Sequence, residues 1–236
     1  MPYPVITQDS VVWLTEAEMV EVDRVMIDDL EIDLLQMMEN AGRNLARVAI
    51  DLFAPSSVWV AAGSGGNGGG GMVAARHLAN AGIEVTVTTT RPGDDLTGAP
   101  AHQFGILRRM DVDFSDEPVA CDVAIDALIG YSLRGAPRGR TAELVRAFGD
   151  LSCALSLDTP SGLDVTTGEV PGALVVADAT LTLALPKIGL RRHPAVGRLL
   201  LADISVPRAI TEPLGGAPDF RRSPVLELVD SPGTPA

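Results

Sequence analysis

The stretch AAGSGGNGGGGMVAARHLANAG, Ala61 to Gly82, decides how this 236-residue chain is read. It begins as the end of an apolar strand and passes through Gly63, Ser64, Gly65, Gly66, Asn67, Gly68, Gly69, Gly70 and Gly71. It then continues into a helix predicted over Met72–Ala81. Glycines remove the side chains that keep a ligand off the backbone. Such a loop can therefore present N–H groups and the positive end of a helix to a phosphate or pyrophosphate. The match to a dinucleotide-binding turn is loose, because the glycine run is longer than that turn needs and two helices precede it. A tight structural turn is the competing reading. No GxxxxGK[ST] motif is present, which argues against a P-loop nucleotidase. Gly82 suits the left-handed stop after the helix.

Upstream, Thr15 and Glu18 have capping-box spacing at the start of a helix predicted over Thr15–Asp28. A second helix is predicted over Asp33–Leu52, where Leu34, Leu35, Met38, Ala41, Leu45, Val48 and Ala49 recur at three- and four-residue intervals. Met37 and Met38 read as packing residues. Downstream, short apolar runs alternate with helical segments, the pattern of parallel strands joined by crossover helices. Strands are expected at Val58–Ala62, Glu84–Thr89, Val123–Asp126, Ala154–Asp158, Ala179–Ala184 and Leu199–Asp203, with further helices at His102–Arg109 and Thr141–Phe148. The expected organisation is one domain over 1–236, in which 211–236 is a C-terminal extension. That extension is rich in Pro, Gly, Ser and acidic residues. Its one apolar run, Val225–Val229, is expected to belong to a tail that wraps the domain and then frays.

A chain of this length with 46% hydrophobic residues can bury roughly 70% of its extended-chain surface in one core. Aromatics are only 4%, so that core is mostly aliphatic. Cys121 and Cys153 lie in apolar segments without metal-binding spacing and read as buried, inert thiols rather than a disulfide framework or zinc site. Eighteen Lys and Arg against 31 Asp and Glu give a formal charge of -13, which disfavours nucleic acid and anionic membranes as partners. No signal-peptide pattern or membrane-spanning stretch is evident, and a cytoplasmic location is expected.

Three acidic residues stand at predicted strand ends: Asp126 in IDALIGYSLRG, Asp158 in SLDTPSGLD and Asp203 in LADISVP. In an open parallel sheet the ligand crevice forms at the carboxyl edge, where Asp126, Asp158 and the Gly63–Gly71 loop can converge. The competing reading is that each aspartate merely caps or turns the chain. Ser161 is not in a GxSxG elbow, and His77, His102 and His193 lack a nucleophile context, so a Ser-His-Asp hydrolase is disfavoured. Lys187 in LPKIGL can neutralise a phosphate or carboxylate at the rim, with Arg191, Arg192 and His193 extending the positive spot; a solvated loop explains them equally well.

Taken in order, LTEAEMVEVD, MMENAG, the glycine loop, DALIGYSLRG, DTPSGLD, TLTLALPKIGL and LADISVP resemble the NAD(P)H-hydrate epimerase family, the YjeF N-terminal domain. The resemblance implies a Rossmann-like three-layer α/β/α sandwich with a mostly parallel central sheet, commonly a homodimer. It implies epimerisation of the R form of hydrated NADH or NADPH (NADHX, NADPHX) to the S form, an isomerase reaction of metabolite repair. A separate dehydratase, the functional partner, then consumes the S form. Carried over by motif, the potassium (K+) ligands fall on Asn67, Asp126 and Ser161. The substrate-binding segments fall on Gly66, Asn67, Gly68, Gly69 and Gly70 and on Gly130, Tyr131, Ser132, Leu133, Arg134, Gly135 and Ala136. Asp158 is the implied catalytic residue and substrate contact, moving a proton at the C6 hydroxyl, and Lys187 assists at the phosphate or rim.

The sequence departs from that family in the loop. Where the family reads GxGNNGGDG, this chain has GSGGNGGGG, with Gly66 for the first asparagine and Gly70 for the aspartate. The alternative function is therefore a non-catalytic nucleotide- or partner-binding member of the same fold. An ordinary NAD-linked oxidoreductase is disfavoured by the lack of a Tyr-x-x-x-Lys pair or catalytic histidine context.

Overall fold

The computed structural model describes residues 2–216 and 218–231. Nine strands form one sheet in the order β1-β9-β8-β7-β6-β5-β2-β3-β4. In chain order they are β1 (Val5–Thr7), β2 (Ser57–Ala62), β3 (Glu84–Thr89), β4 (Asp113–Phe114), β5 (Val123–Ala127), β6 (Ala154–Leu157), β7 (Ala179–Leu183), β8 (Arg198–Ala202) and β9 (Val225–Val229). Every pairing is parallel except β8 with β9. The expected α/β class and mostly parallel sheet are thus observed. Val225–Val229 is not a wrapping tail: it is an inserted strand between β8 and β1, buried over four of its five residues. The short edge strands Val5–Thr7 and Asp113–Phe114 lack the long apolar run by which the others are legible. Of the 211–236 extension expected to wrap and then fray, residues 217 and 232–236 lie outside the described residues.

The helices are α1 (Glu16–Arg24), α2 (Leu34–Phe53), α3 (Gly66–Asn80), α4 (Gly98–Arg109), α5 (Gly139–Ala147) and the short α6 (Arg208–Thr211). Both N-terminal helices open with full capping boxes, Thr15 with Glu18 and Asp33 with Gln36. A π-helical turn, Val25–Asp29, extends α1. Leu45, Val48 and Ala49 of α2 and Met72, Ala75 and Leu78 of α3 pack on Val58, Val60, Val87 and Ile125 of the sheet. Leu144 and Val145 of α5 cover the opposite face against Trp59, Ala61 and Ala124. That makes three layers. α1 instead packs Met19 and Val22 with Met37 and Ala41 of α2 and with Ala184, Leu185 and Ile204, beyond the carboxyl ends of β7 and β8.

The principal correction concerns the glycines. Helix α3 starts at Gly66, six residues before its predicted start, so Gly66–Gly71 form its first turns rather than a loop. Low intrinsic propensity is overridden by packing. A Cβ on Gly68 would lie 1.8 Å from the Gly63 carbonyl oxygen, and one on Gly71 would lie 2.4 Å from Ala127 Cβ. The run lets the helix start pack directly on the ends of β2 and β5. Gly82 follows with φ +81°, as its helix-stop reading requires. Cys121 and Cys153 are both free and half-buried, and burial raises both thiols, Cys153 to about 11. Among the described residues no helix is long and apolar enough to cross a membrane.

Candidate active site

β2 pairs with β3 on one side and with β5 on the other, so the strand order reverses between β2 and β5. Such a switch point opens a crevice at the carboxyl edge. A cavity of about 600 Å³ lies there, roofed by Met19 and Asp23 of α1. Its floor is formed by the start of α3, the 128–138 segment, Asp158 and Lys187. All of 130–136 lines it. Of Gly66–Gly70, only Gly66, Asn67 and Gly70 reach its wall. Gly68 and Gly69 do not line it; a Cβ on them would meet Gly63 and Met38.

Asp158 follows β6 with φ +67°, a left-handed conformation that costs a non-glycine residue about 1–2 kcal/mol. Its N–H donates to the Leu181 carbonyl at 2.8 Å, which ties the turn to β7. Asp158 is 3% exposed and its carboxylate is held at both oxygens. Lys187 Nζ donates to Oδ1 at 2.5 Å, and the Tyr131 N–H donates to Oδ2 at 3.0 Å. Lys187 does neutralise a carboxylate at the cavity, that of Asp158, but the solvated-loop reading is corrected: Lys187 is 1% exposed and also donates to the Leu183 carbonyl at 2.9 Å. Arg191 and Arg192 do not extend a positive spot here; they pair with Asp9 and Asp230 on the surface. His193 Nδ1 accepts from the Ala195 N–H.

Behind the cavity wall, Asp126 is fully buried at the end of β5. It accepts from Ser161 Oγ at 2.6 Å, Ser161 N–H at 2.8 Å, Ser156 Oγ at 2.9 Å and Leu128 N–H at 3.2 Å. Burial pushes its carboxyl above the usual range, against the lowering effect of those bonds. Ser161 Oγ also lies 3.2 Å from the Ile129 carbonyl oxygen. Asn67 donates its amide to the Leu157 carbonyl, and a Cβ on Gly130 would lie 3.4 Å from its Oδ1 and 3.2 Å from Asp158 Oδ2. Asp203, the third strand-end acid, sits apart. It accepts from the Ser205 N–H and lines a smaller cavity, the capping role that was its competing reading.

Spacing alone did not reveal Asp23. Its Oδ2 accepts from the Tyr131 hydroxyl at 2.5 Å, and burial raises its carboxyl while Tyr131 and Lys187 oppose the rise. Arg134, on the same segment as Tyr131, pairs with Glu16 of α1. Met37 and Met38 pack as expected and also line the cavity. No periodic pattern identifies Asp23, because its partner lies 108 residues away.

Comparison with known proteins agrees with this architecture. The chain is 45% identical over 205 residues to a NAD(P)H-hydrate epimerase of Dehalogenimonas lykanthroporepellens, covering 84% of this chain and 83% of that one. It is 39% identical to a NAD(P)H-hydrate epimerase of Truepera radiovictrix, covering 84% and 91%. A bifunctional NAD(P)H-hydrate repair enzyme Nnr of Hyperthermus butylicus is 43% identical over 79% of this chain, which spans 38% of that longer enzyme. The crystal structure of yeast ynu0 superposes with a TM-score of 0.80 at 22% identity, covering 92% of this chain and 99% of that one, and so shares the fold. A family model described as YjeF-related protein N-terminus matches residues 34–189. With that match over more than half its length and such relatives along most of it, the chain belongs to the YjeF N-terminal family.

Proposed function

We propose that this protein is an NAD(P)H-hydrate epimerase, converting the R form of hydrated NADH or NADPH to the S form. The observation that carries the reading is the Asp158 carboxylate. It is buried on the wall of a cavity at the sheet's switch point, and Lys187 and the Tyr131 N–H hold its two oxygens. Relatives bearing that activity in their names support it. In this reading Asp158 exchanges a proton with the C6 hydroxyl of the hydrated ring. Lys187 balances the carboxylate's charge in a water-poor site. The N-terminus of α3, at Gly66 and Asn67, supplies N–H groups for the substrate's phosphates.

Potassium belongs to the same proposal, with Asn67, Asp126 and Ser161 holding it. A buried carboxylate that among the described residues has no Lys, Arg or His ion-pair partner, beside a hydroxyl and a carbonyl oxygen, suits a monovalent cation. When bound, the ion would supply a fixed positive charge under the cavity floor. Homodimerisation, a cytoplasmic location and handover to a separate dehydratase complete the proposal; relatives named as bifunctional repair enzymes support the last.

The test follows loss of the R epimer of hydrated NADH and NADPH, coupled to an S-specific dehydratase, with and without potassium. Turnover well above the spontaneous rate, abolished by Asp158→Asn, is expected. Ligand binding without turnover would instead favour the non-catalytic reading, which the glycines at 66 and 70 motivate.

A further inference from the structure

One residue joins the roof of the cavity to its acid–base group. Tyr131 donates its backbone N–H to Asp158 Oδ2 at 3.0 Å and its hydroxyl to Asp23 Oδ2 at 2.5 Å. Its ring lies 6.0 Å from Lys187 Nζ, the other group bound to Asp158. Asp23 is rigidly mounted: α1 is capped at Thr15, and its Met19 and Val22 are buried against α2 and the ends of β7 and β8. The 128–138 segment contains no helix or strand between β5 and α5; it is tied at its start by the Leu128 N–H to Asp126 and the Ile129 N–H to Ser161 Oγ, and Tyr131 is where it meets α1.

We propose that Asp23 is a positioning residue for Asp158, acting through Tyr131: α1 clamps the phenol, and the clamped residue aims its N–H at the carboxylate. The inference deepens the epimerase reading and rests on it for its kinetic test. The Glu16–Arg134 pair is a second, weaker link between the same elements, because Arg134 is 73% exposed. The Asp23 bond is charge-assisted and part-buried, so it is the stronger link.

The test compares Asp23→Ala, Asp23→Asn, Tyr131→Phe and the double variant Asp23→Ala/Tyr131→Phe. Asp23→Ala and Tyr131→Phe should each lower kcat roughly 10- to 100-fold, the range for a lost hydrogen bond to a charged group, with a smaller change in KM. The double variant should be no worse than the poorer single one. Asp23→Asn keeps an acceptor oxygen and should restore most of the rate. Multiplicative losses in the double variant would overturn the proposal. So would a slow Asp23→Asn beside a near-normal Tyr131→Phe, which would mean that Asp23 acts on substrate directly. Tryptic cleavage after Arg134, read by mass spectrometry, needs no activity. It should accelerate in Asp23→Ala and Tyr131→Phe while thermal unfolding stays cooperative. Unchanged cleavage in both would refute the clamp even if the wild type proved inactive, an outcome that by itself would refute only the epimerase reading.

Discussion

Replacing Lys187 by methionine tests whether the buried pair is an ion pair in a dry site. The two side chains are almost inaccessible, at 1% for Lys187 and 4% for Asp158, and their charged atoms are 2.5 Å apart. At an effective dielectric of about 20 their attraction is about 7 kcal/mol, which is not a net gain because both ions lose their hydration. The intact pair therefore contributes little, whereas removing one partner leaves a buried carboxylate held only by the Tyr131 N–H. That loss is expected to cost about 3–5 kcal/mol. For a domain of this size it corresponds to a fall in Tm of roughly 6–20 °C. Differential scanning calorimetry at pH 7 measures it. Adding Asp158→Asn should recover most of the Lys187→Met deficit at pH 7. A single variant within about 1 kcal/mol of wild type, or a double variant no more stable than the single, would refute the dry-pair argument.

Two further expectations follow from packing and burial. In the α3 glycines, a Cβ at 66 meets only Met38 Cε at 3.7 Å, one at 70 comes within 2.9 Å of Leu157 Cδ2, and one at 68 strikes the Gly63 carbonyl at 1.8 Å. Gly66→Asn should thus leave denaturant stability within about 0.5 kcal/mol. Gly70→Asp should cost about 1–3 kcal/mol as Leu157 is displaced, and Gly68→Ala should cost more because backbone must move. The opposite order would show that the helix start is loosely packed. His193 has its pKa lowered by burial from 6.5, and its Nδ1 accepts from the Ala195 N–H only while the ring is neutral. Its stabilising contribution should be present above pH 6.5 and be lost as pH falls through the lower folded-state value. An NMR titration of its ring protons giving a pKa above 6.5 would contradict this.

Much of the architecture is legible locally because each element carries its own signal. The capping box at Thr15, the apolar periodicity of α2 and the apolar runs of β2, β3 and β5 to β8 depend on residues a few positions apart. β9 misled because Val225–Val229 lies in a Pro- and Gly-rich extension, and its pairing with β8 and β1 depends on chain that is remote in sequence. The glycine run misled for a related reason: glycine weakens a helix in isolation, and only contact with Gly63 and Ala127 shows why it is needed.

The sequence by itself determined the α/β class, the parallel order of strand and helix, and the placing of Asp126, Asp158 and the glycine run at strand ends. Alternation of apolar runs and turn residues is enough for those. Only the tertiary structure decided that Lys187 is buried on Asp158 rather than solvated, that Asp203 stands apart, and that Asp23 reaches the site through Tyr131. Burial, charge pairing and hydrogen-bond geometry are set by which distant segments meet, and no local spacing encodes that meeting.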